Sequence, residues 1–367
     1  MFTKESIALH NHFLSKLRIK NRKEYHLLYQ FFQSINIVPI QKKSTYEVRS
    51  QTSIKSHPIQ KFLGTSHFIH TNEKYTYSEI NFKIKSINVT IYVYSKVNNP
   101  STDFIDEIIK VIQYVASLSK VSIKKLTLIY YLNENQKKIH RNLQEITKNE
   151  INSGYCIQKE NEAIITIYRI EEVMKVTIHE LIHAFKYDSV QDNQQIINHY
   201  QEKYNISSKE INTHEAYTEV WANIINCYLI SKRVQRRHQY NLFLILIEFE
   251  KVFSEYQTFK IFYLTQLSQK KIDINKYTNV LAYFVIREEI LKRLPAFLKF
   301  CSTKNINYIH LKKEKDWFLF LKNNNTLSKR NNIFSNMNKK NYLFTTMRMS
   351  INELDIYACT NTPSLFG

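Results

Sequence analysis

The segment Ala163-Ile-Ile-Thr-Ile-Tyr-Arg-Ile170 runs directly into Glu171-Glu-Val-Met-Lys-Val-Thr-Ile-His-Glu-Leu-Ile-His-Ala-Phe-Lys-Tyr187, and the change of period between them decides the fold. The first stretch is a short β-branched run that reads as a buried strand. In the second, Met174, Ile178, Leu181, Ile182 and Phe185 recur at helical spacing, which predicts a helix over 171–187 with one apolar side. Glu171 and Glu172 fall in its first turn, where carboxylates favour the helix dipole. His179 and His183 stand one turn apart and project together from roughly the opposite side, with Glu180 beside them. Core packing is a poor explanation for a histidine pair off the apolar side. Two imidazoles so placed can hold one divalent ion, and the adjacent carboxylate can reach a water there.

Upstream, Lys74–Lys85, Ile87–Lys96 and Leu126–Leu132 carry strand character, and residues 103–119 repeat apolar positions at helical spacing. Residues 5–35 read as amphipathic helix, and the polar Gln41–Ser56 as a loop or extension. The order strand, strand, helix, strand, strand, helix implies an α+β unit, a mixed sheet backed by two helices. Downstream, Thr213–Leu321 looks mainly helical, and 323–341 is polar and low in complexity. The expected organisation is a helical segment and polar loop over 1–60, and an α+β subdomain with the histidine motif over 61–212. A mainly helical subdomain over 213–322 follows, then a low-complexity linker and tail over 323–367.

A catalytic zinc takes three protein ligands and leaves one position for water. Asp188, at the end of the histidine helix, is a weak third ligand. His214-Glu-Ala-Tyr-Thr-Glu219 is the better source. On a helix whose apolar face is Trp221, Ile224, Ile225, Tyr228 and Leu229, Glu215 and Glu219 stack one turn apart on another face. One carboxylate, with Glu215 preferred, can bind the ion while Glu219 holds a ligating histidine in its tautomer. Glu215 has a plainer explanation too: Asn212-Thr-His-Glu215 fits a capping box. That leaves Glu219 without a role.

His-Glu-Leu-Ile-His followed by the second motif resembles the gluzincin branch of the zincin metallopeptidases, over about residues 160–230. The resemblance implies a zincin-like sheet and a zinc-dependent peptidase acting on a peptide or protein substrate. It implies His179, His183 and Glu215 as zinc ligands, Glu180 as general base and Glu219 as the acid behind a ligating histidine. An oxyanion donor is also expected; Tyr204, ahead of the Glu helix, is one candidate, with Tyr217, His199 and Tyr283 as others. Asn161–Tyr168 resembles the zincin edge strand, whose free backbone groups hold an extended substrate. The sequence departs from the pattern at His214, where Asn is usual, at Glu219, where Asp is commoner, and in the 31 residues separating His183 from Glu215. Cys156 upstream of the motif invites comparison with peptide deformylases, whose glycine-rich signature is missing from a chain with 3 glycines.

The formal charge of +20 admits a rival class, a basic nucleic-acid-binding or virion-associated protein, or an inactive zincin-like module. Basic runs stand at Lys16–Lys23, Lys232–Arg237 and Lys312–Lys315. Lysine far outnumbers arginine, the better reader of phosphates and bases, and Lys, Asn, Ile, Tyr and Phe have AT-rich codons. Genome composition therefore explains most of the charge. Cys156, Cys227, Cys301 and Cys359 form no close pair, which suits reduced thiols. No apolar run reaches membrane-spanning length and the first 25 residues are charged throughout, so an intracellular protein is the expectation.

Overall fold

The computed structural model describes residues 1–53, 74–95, 102–139, 146–235, 237–267, 275–323 and 341–356. Its six strands are β1 (Ile40–Ser53), β2 (Lys74–Ile84), β3 (Ile87–Ser95), β4 (Lys125–Tyr131), β5 (Gly154–Gln158) and β6 (Glu162–Ile167). They form one mixed sheet in the order β1-β2-β3-β4-β6-β5. β3, β4 and β6 run parallel, Tyr92 opposite Ile129 and Ile129 opposite Thr166, while β1, β2 and β5 pair antiparallel. The fold class is thus α+β.

Two strands differ from expectation. The polar 41–56 stretch includes β1, because pairing with β2 satisfies its backbone whatever its side chains are. The strand read from Ala163 is not the sheet edge. β6 lies between β4 and β5, and β5 is the edge. Five residues of weak pattern, two of them exposed, hide β5 in the sequence.

The helices are α1 (Lys4–Phe13), α2 (Lys23–Ser34), α3 (Thr102–Leu118), α4 (Lys148–Ile151), α5 (Val173–Ala184), α6 (Gln194–Tyr204), α7 (Thr213–Val234), α8 (Gln239–Leu267), α9 (Arg287–Lys292), α10 (Leu294–Lys304), α11 (Glu314–Lys322) and α12 (Tyr342–Thr345). A π-helical turn, Leu281–Ile286, leads into α9. α5 lies against β5 and β6 and packs on α3 and α7. Its apolar side is buried as expected, except that Met174 is half-buried.

Glu171 and Glu172 lie before α5 rather than in its first turn. Glu172 is the N-cap at φ 62°, with no side-chain cap bond. Its carboxylate instead takes Lys137 Nζ at 2.8 Å and the Met349 amide at 3.0 Å. A buried carboxylate needs such donors more than it needs a helix dipole. They tie α5 to the C-terminal segment, where Thr346–Asn352 are buried although the sequence reading left them in the tail. Gln257 donates to Arg348 O at 2.7 Å and Asn226 to Asn352 O at 3.0 Å, while Thr3 N donates to Glu353 O at 3.0 Å. Both ends of the described chain thereby close on α7 and α8. The low-complexity residues 324–340 and Cys359 lie outside the described residues. Among the described residues, no helix is long and apolar enough to cross a membrane.

Candidate metal centre

α5 and α7 face one another, which brings the two sequence motifs together. α7 starts where Asp192 accepts from Thr213 N at 2.9 Å and from its hydroxyl at 2.5 Å, with Trp317 Nε1 donating to that hydroxyl at 3.0 Å. Asn212 is the N-cap at φ 58° and makes no side-chain cap bond, so the capping-box explanation of Glu215 does not hold. Asp192 takes over the cap and leaves Glu215 free to turn inward. The Asn212 amide donates to Asn279 Oδ1 at 2.8 Å, and the Asn279 amide donates to Glu215 Oε1 at 3.2 Å.

Glu215 Oε2 then sits 3.3 Å from His179 Nε2 and 3.2 Å from His183 Nε2, and the two Nε2 atoms are 3.0 Å apart. One atom from each of the three residues lies within 4.8 Å of the others. Two imidazole nitrogens and a carboxylate oxygen at this spacing could share one divalent ion. The far side of each ring carries its own carboxylate. His179 Nδ1 is 2.9 Å from Glu219 Oε1, and His183 Nδ1 is 2.6 Å from Asp188 Oδ2. Those contacts orient the two rings so that both Nε2 atoms face Glu215. Asp188 is thus no ligand but the partner of His183, and Thr218 Oγ1 donates to it at 2.8 Å.

The charges fit a cation. Four carboxylates face the centre, Glu180, Asp188 and Glu219 buried and Glu215 half-buried, with the buried cations Lys175 and Arg287 behind Glu219. Lys175 Nζ is paired with Glu219 Oε2, and Arg287 reaches the same oxygen at 3.9 Å. Burial opposes charge on His183, yet Asp188 and Glu215 hold its imidazole well above the usual range. Against the same burial, His183 and His179 hold Glu215 well below its own. Protons on the rings supply positive charge where a metal would supply more.

Glu180 is buried on the side of β5. Burial pushes its carboxyl up against the pull of His179 and His183. Gly154 faces it: a Cβ there would lie 3.2 Å from Glu180 Oε1 and 2.9 Å from Thr166 O. This close approach is the reason β5 starts with one of the few glycines in the chain.

The oxyanion candidates separate cleanly. Tyr204, ranked first from sequence, is turned away: its hydroxyl donates to Glu289, against which it is buried. Tyr217 donates to Ile309 O at 2.6 Å, and His199 packs on Tyr200. Tyr283, on the π-helical turn, has its ring centroid 6.1 Å from that of His179. Burial, with Glu215, Glu180 and Glu219 nearby, raises its phenol well above the usual range, so it keeps its proton. Cys156 lies on β5 beside this centre, but burial and Glu180 push its thiol up to about 12, which removes it as a thiolate.

Sequence reasoning missed Lys175, Arg287, Asn279 and Gly154. Lys175 was findable, one turn before His179 on its own helix. Arg287 and Asn279 were not, since only tertiary packing brings them to α7. No protein family, curated protein or solved structure matches this chain.

Proposed function

We propose that the chain is a zinc-dependent metallopeptidase of zincin type, with His179, His183 and Glu215 as ligands and Glu180 as general base. One observation carries the reading: Nε2 of both histidines and Oε2 of Glu215 converge while each imidazole's other nitrogen rests on its own buried carboxylate. Lone imidazoles packed for stability have no need of that arrangement.

When bound, zinc supplies a Lewis acid that acidifies water and polarises a carbonyl. Glu180, its proton affinity raised by burial, takes the proton of the attacking water and passes it to the leaving amine. Tyr283 keeps its proton and donates to the charge that develops on the carbonyl oxygen. β5, the edge strand, offers backbone groups to an extended peptide. Glu219 and Asp188 hold the imidazoles in register throughout.

Metal analysis of the purified protein with a protease assay on wild type and Glu180→Gln tests the reading. The expected result is one zinc per chain in both, activity in wild type alone, and its loss to a chelator with return on adding zinc. A metal-free wild-type protein, or a Glu180→Gln variant as active as wild type, refutes it.

A second reading has one observation of its own. Two of the basic runs meet in the fold, where Tyr240 Oη donates to Asn21 Oδ1 at 2.7 Å and packs on His26. Lys16, Arg18, Lys20, Arg22, Lys23, Lys232 and Arg237 are exposed there, which supports contact with an acidic partner or nucleic acid. A steep salt dependence in a DNA titration would favour it.

A further inference from the structure

We infer that the end of the molecule formed by the α1–α2 connection and the α7–α8 turn docks on an anionic lipid surface, because exposed aliphatic side chains stand among its lysines and arginines. The inference takes the basic surface described above beyond an unspecified acidic partner, and it stands apart from the metallopeptidase reading.

Two stretches distant in sequence build this face. Asn21, in the connection, accepts from Tyr240 Oη at the start of α8 at 2.7 Å. The Tyr240 ring lies 5.5 Å from that of His26 and 5.1 Å from that of Tyr29, both on α2. Tyr29 in turn lies 5.5 Å from Tyr228, one turn before Lys232 on α7. The face is strongly positive: Lys20, Arg22, Lys23, Lys232 and Arg237 are exposed. No Asp or Glu occurs between Glu5 and Glu24 or between Glu219 and Glu248. Glu24 is half-buried, Glu107 takes Arg233 at 2.8 Å and Glu248 takes Lys251 at 2.7 Å.

Charge complementarity suits lipid and nucleic acid equally, and the neutral side chains decide between them. Ile19 is 50% exposed, Leu27 43% and Val234 47%. Leu27 follows Lys23 by one turn of α2, so the two share a face. Aliphatic groups in water add nothing to contact with a phosphodiester backbone. At a bilayer they reach the acyl boundary while the lysines and arginines meet anionic headgroups. Stacking on bases needs aromatic rings, and no tyrosine or phenylalanine within 17–29 or 232–240 is exposed. Tyr25 and Tyr29 are buried and Tyr240 is half-buried. Docking of this kind needs no spanning helix. Lys232 is in the last turn of α7 and Glu219 near its start, roughly 20 Å away at about 1.5 Å per residue, so the lipid contact leaves the metal centre uncovered.

The test follows co-flotation of the full-length protein with vesicles of phosphatidylcholine carrying about one third phosphatidylserine, and with phosphatidylcholine alone. A duplex DNA titration runs beside it. The expected result is binding to the anionic vesicles that weakens as salt rises, and none to phosphatidylcholine. Lys20→Gln/Lys23→Gln should weaken it at least about tenfold. Ile19→Ser/Leu27→Ser/Val234→Ser keeps every charge, yet should also weaken vesicle binding at least about tenfold, with the circular dichroism unchanged. Protein that ignores anionic vesicles, a triple variant that binds them like wild type, or duplex DNA bound in their place would each overturn the inference. Metal-free protein that still floats with anionic vesicles would sink the peptidase reading and leave this one standing.

Discussion

Glu219→Gln keeps the shape of a side chain and removes one buried charge, with two separable consequences. Glu219 is 3% exposed; one of its oxygens lies 2.9 Å from His179 Nδ1 and the other is paired with Lys175, itself 2% exposed. The first consequence is stability. Breaking a buried pair by removing one partner leaves the Lys175 ammonium with Glu172 as its remaining acidic neighbour, a loss of at most about 3–5 kcal/mol in the zinc-free protein. The second is metal affinity. An imidazole without its carboxylate partner loses orientation and basicity, which lowers affinity by about 10–100-fold. Removing a negative charge near the ion acts in the same direction, so the sign is secure. Asp188→Asn is the contrast. It frees His183 in the same way and should weaken zinc to a similar degree, but its other partner is the Thr218 hydroxyl. No buried lysine is orphaned, and the stability loss should be only about 1–3 kcal/mol. Chelator competition measures zinc affinity, and urea unfolding of zinc-free protein measures stability. A Glu219→Gln variant that binds zinc as tightly as wild type would refute the reasoning.

Tyr283→Phe should lower kcat by about 10²–10³-fold with zinc content and KM little changed, whereas Tyr204→Phe should alter stability and leave turnover alone; steady-state kinetics on both separates the roles. Gly154→Ala places a methyl 2.9 Å from Thr166 O and 3.2 Å from Glu180 Oε1, so it should cost about 1–3 kcal/mol of overpacking and more activity than zinc binding, as denaturation, metal analysis and assay together would reveal. Glu250 is raised from 4.5 to about 7 by burial, against the hydrogen bond from Ser350. A raised carboxyl stabilises below its unfolded pKa, and that contribution is lost as pH rises through the folded value. Wild type should therefore lose up to about 3 kcal/mol between pH 4.5 and 8 from this group, and Glu250→Gln should flatten that part of the slope in urea titrations.

Much of the fold is legible in the chain. Ile87–Ser95, Lys125–Tyr131 and Thr102–Leu118 form close to where their apolar periods place them, since each buries a continuous side. β1 and β5 are not legible. A polar strand is stabilised by its neighbour's backbone rather than by its own pattern, and the unseen β5 shifted the sheet edge by one strand.

His179, Glu180 and His183 belong to one helical turn, and Glu215 and Glu219 to another, so local geometry alone placed each set on a common face. Distances between the sets are a property of packing. α5 against α7 brought Glu215 to the two Nε2 atoms and Glu219 to His179. Packing also turned Tyr204 away and brought Tyr283 in, and it moved Asp188 from a ligand candidate to the partner of His183. Periodicity reports which side of an element is buried; which charge that side meets depends on chain far away in sequence, as Arg287 at the back of this centre demonstrates.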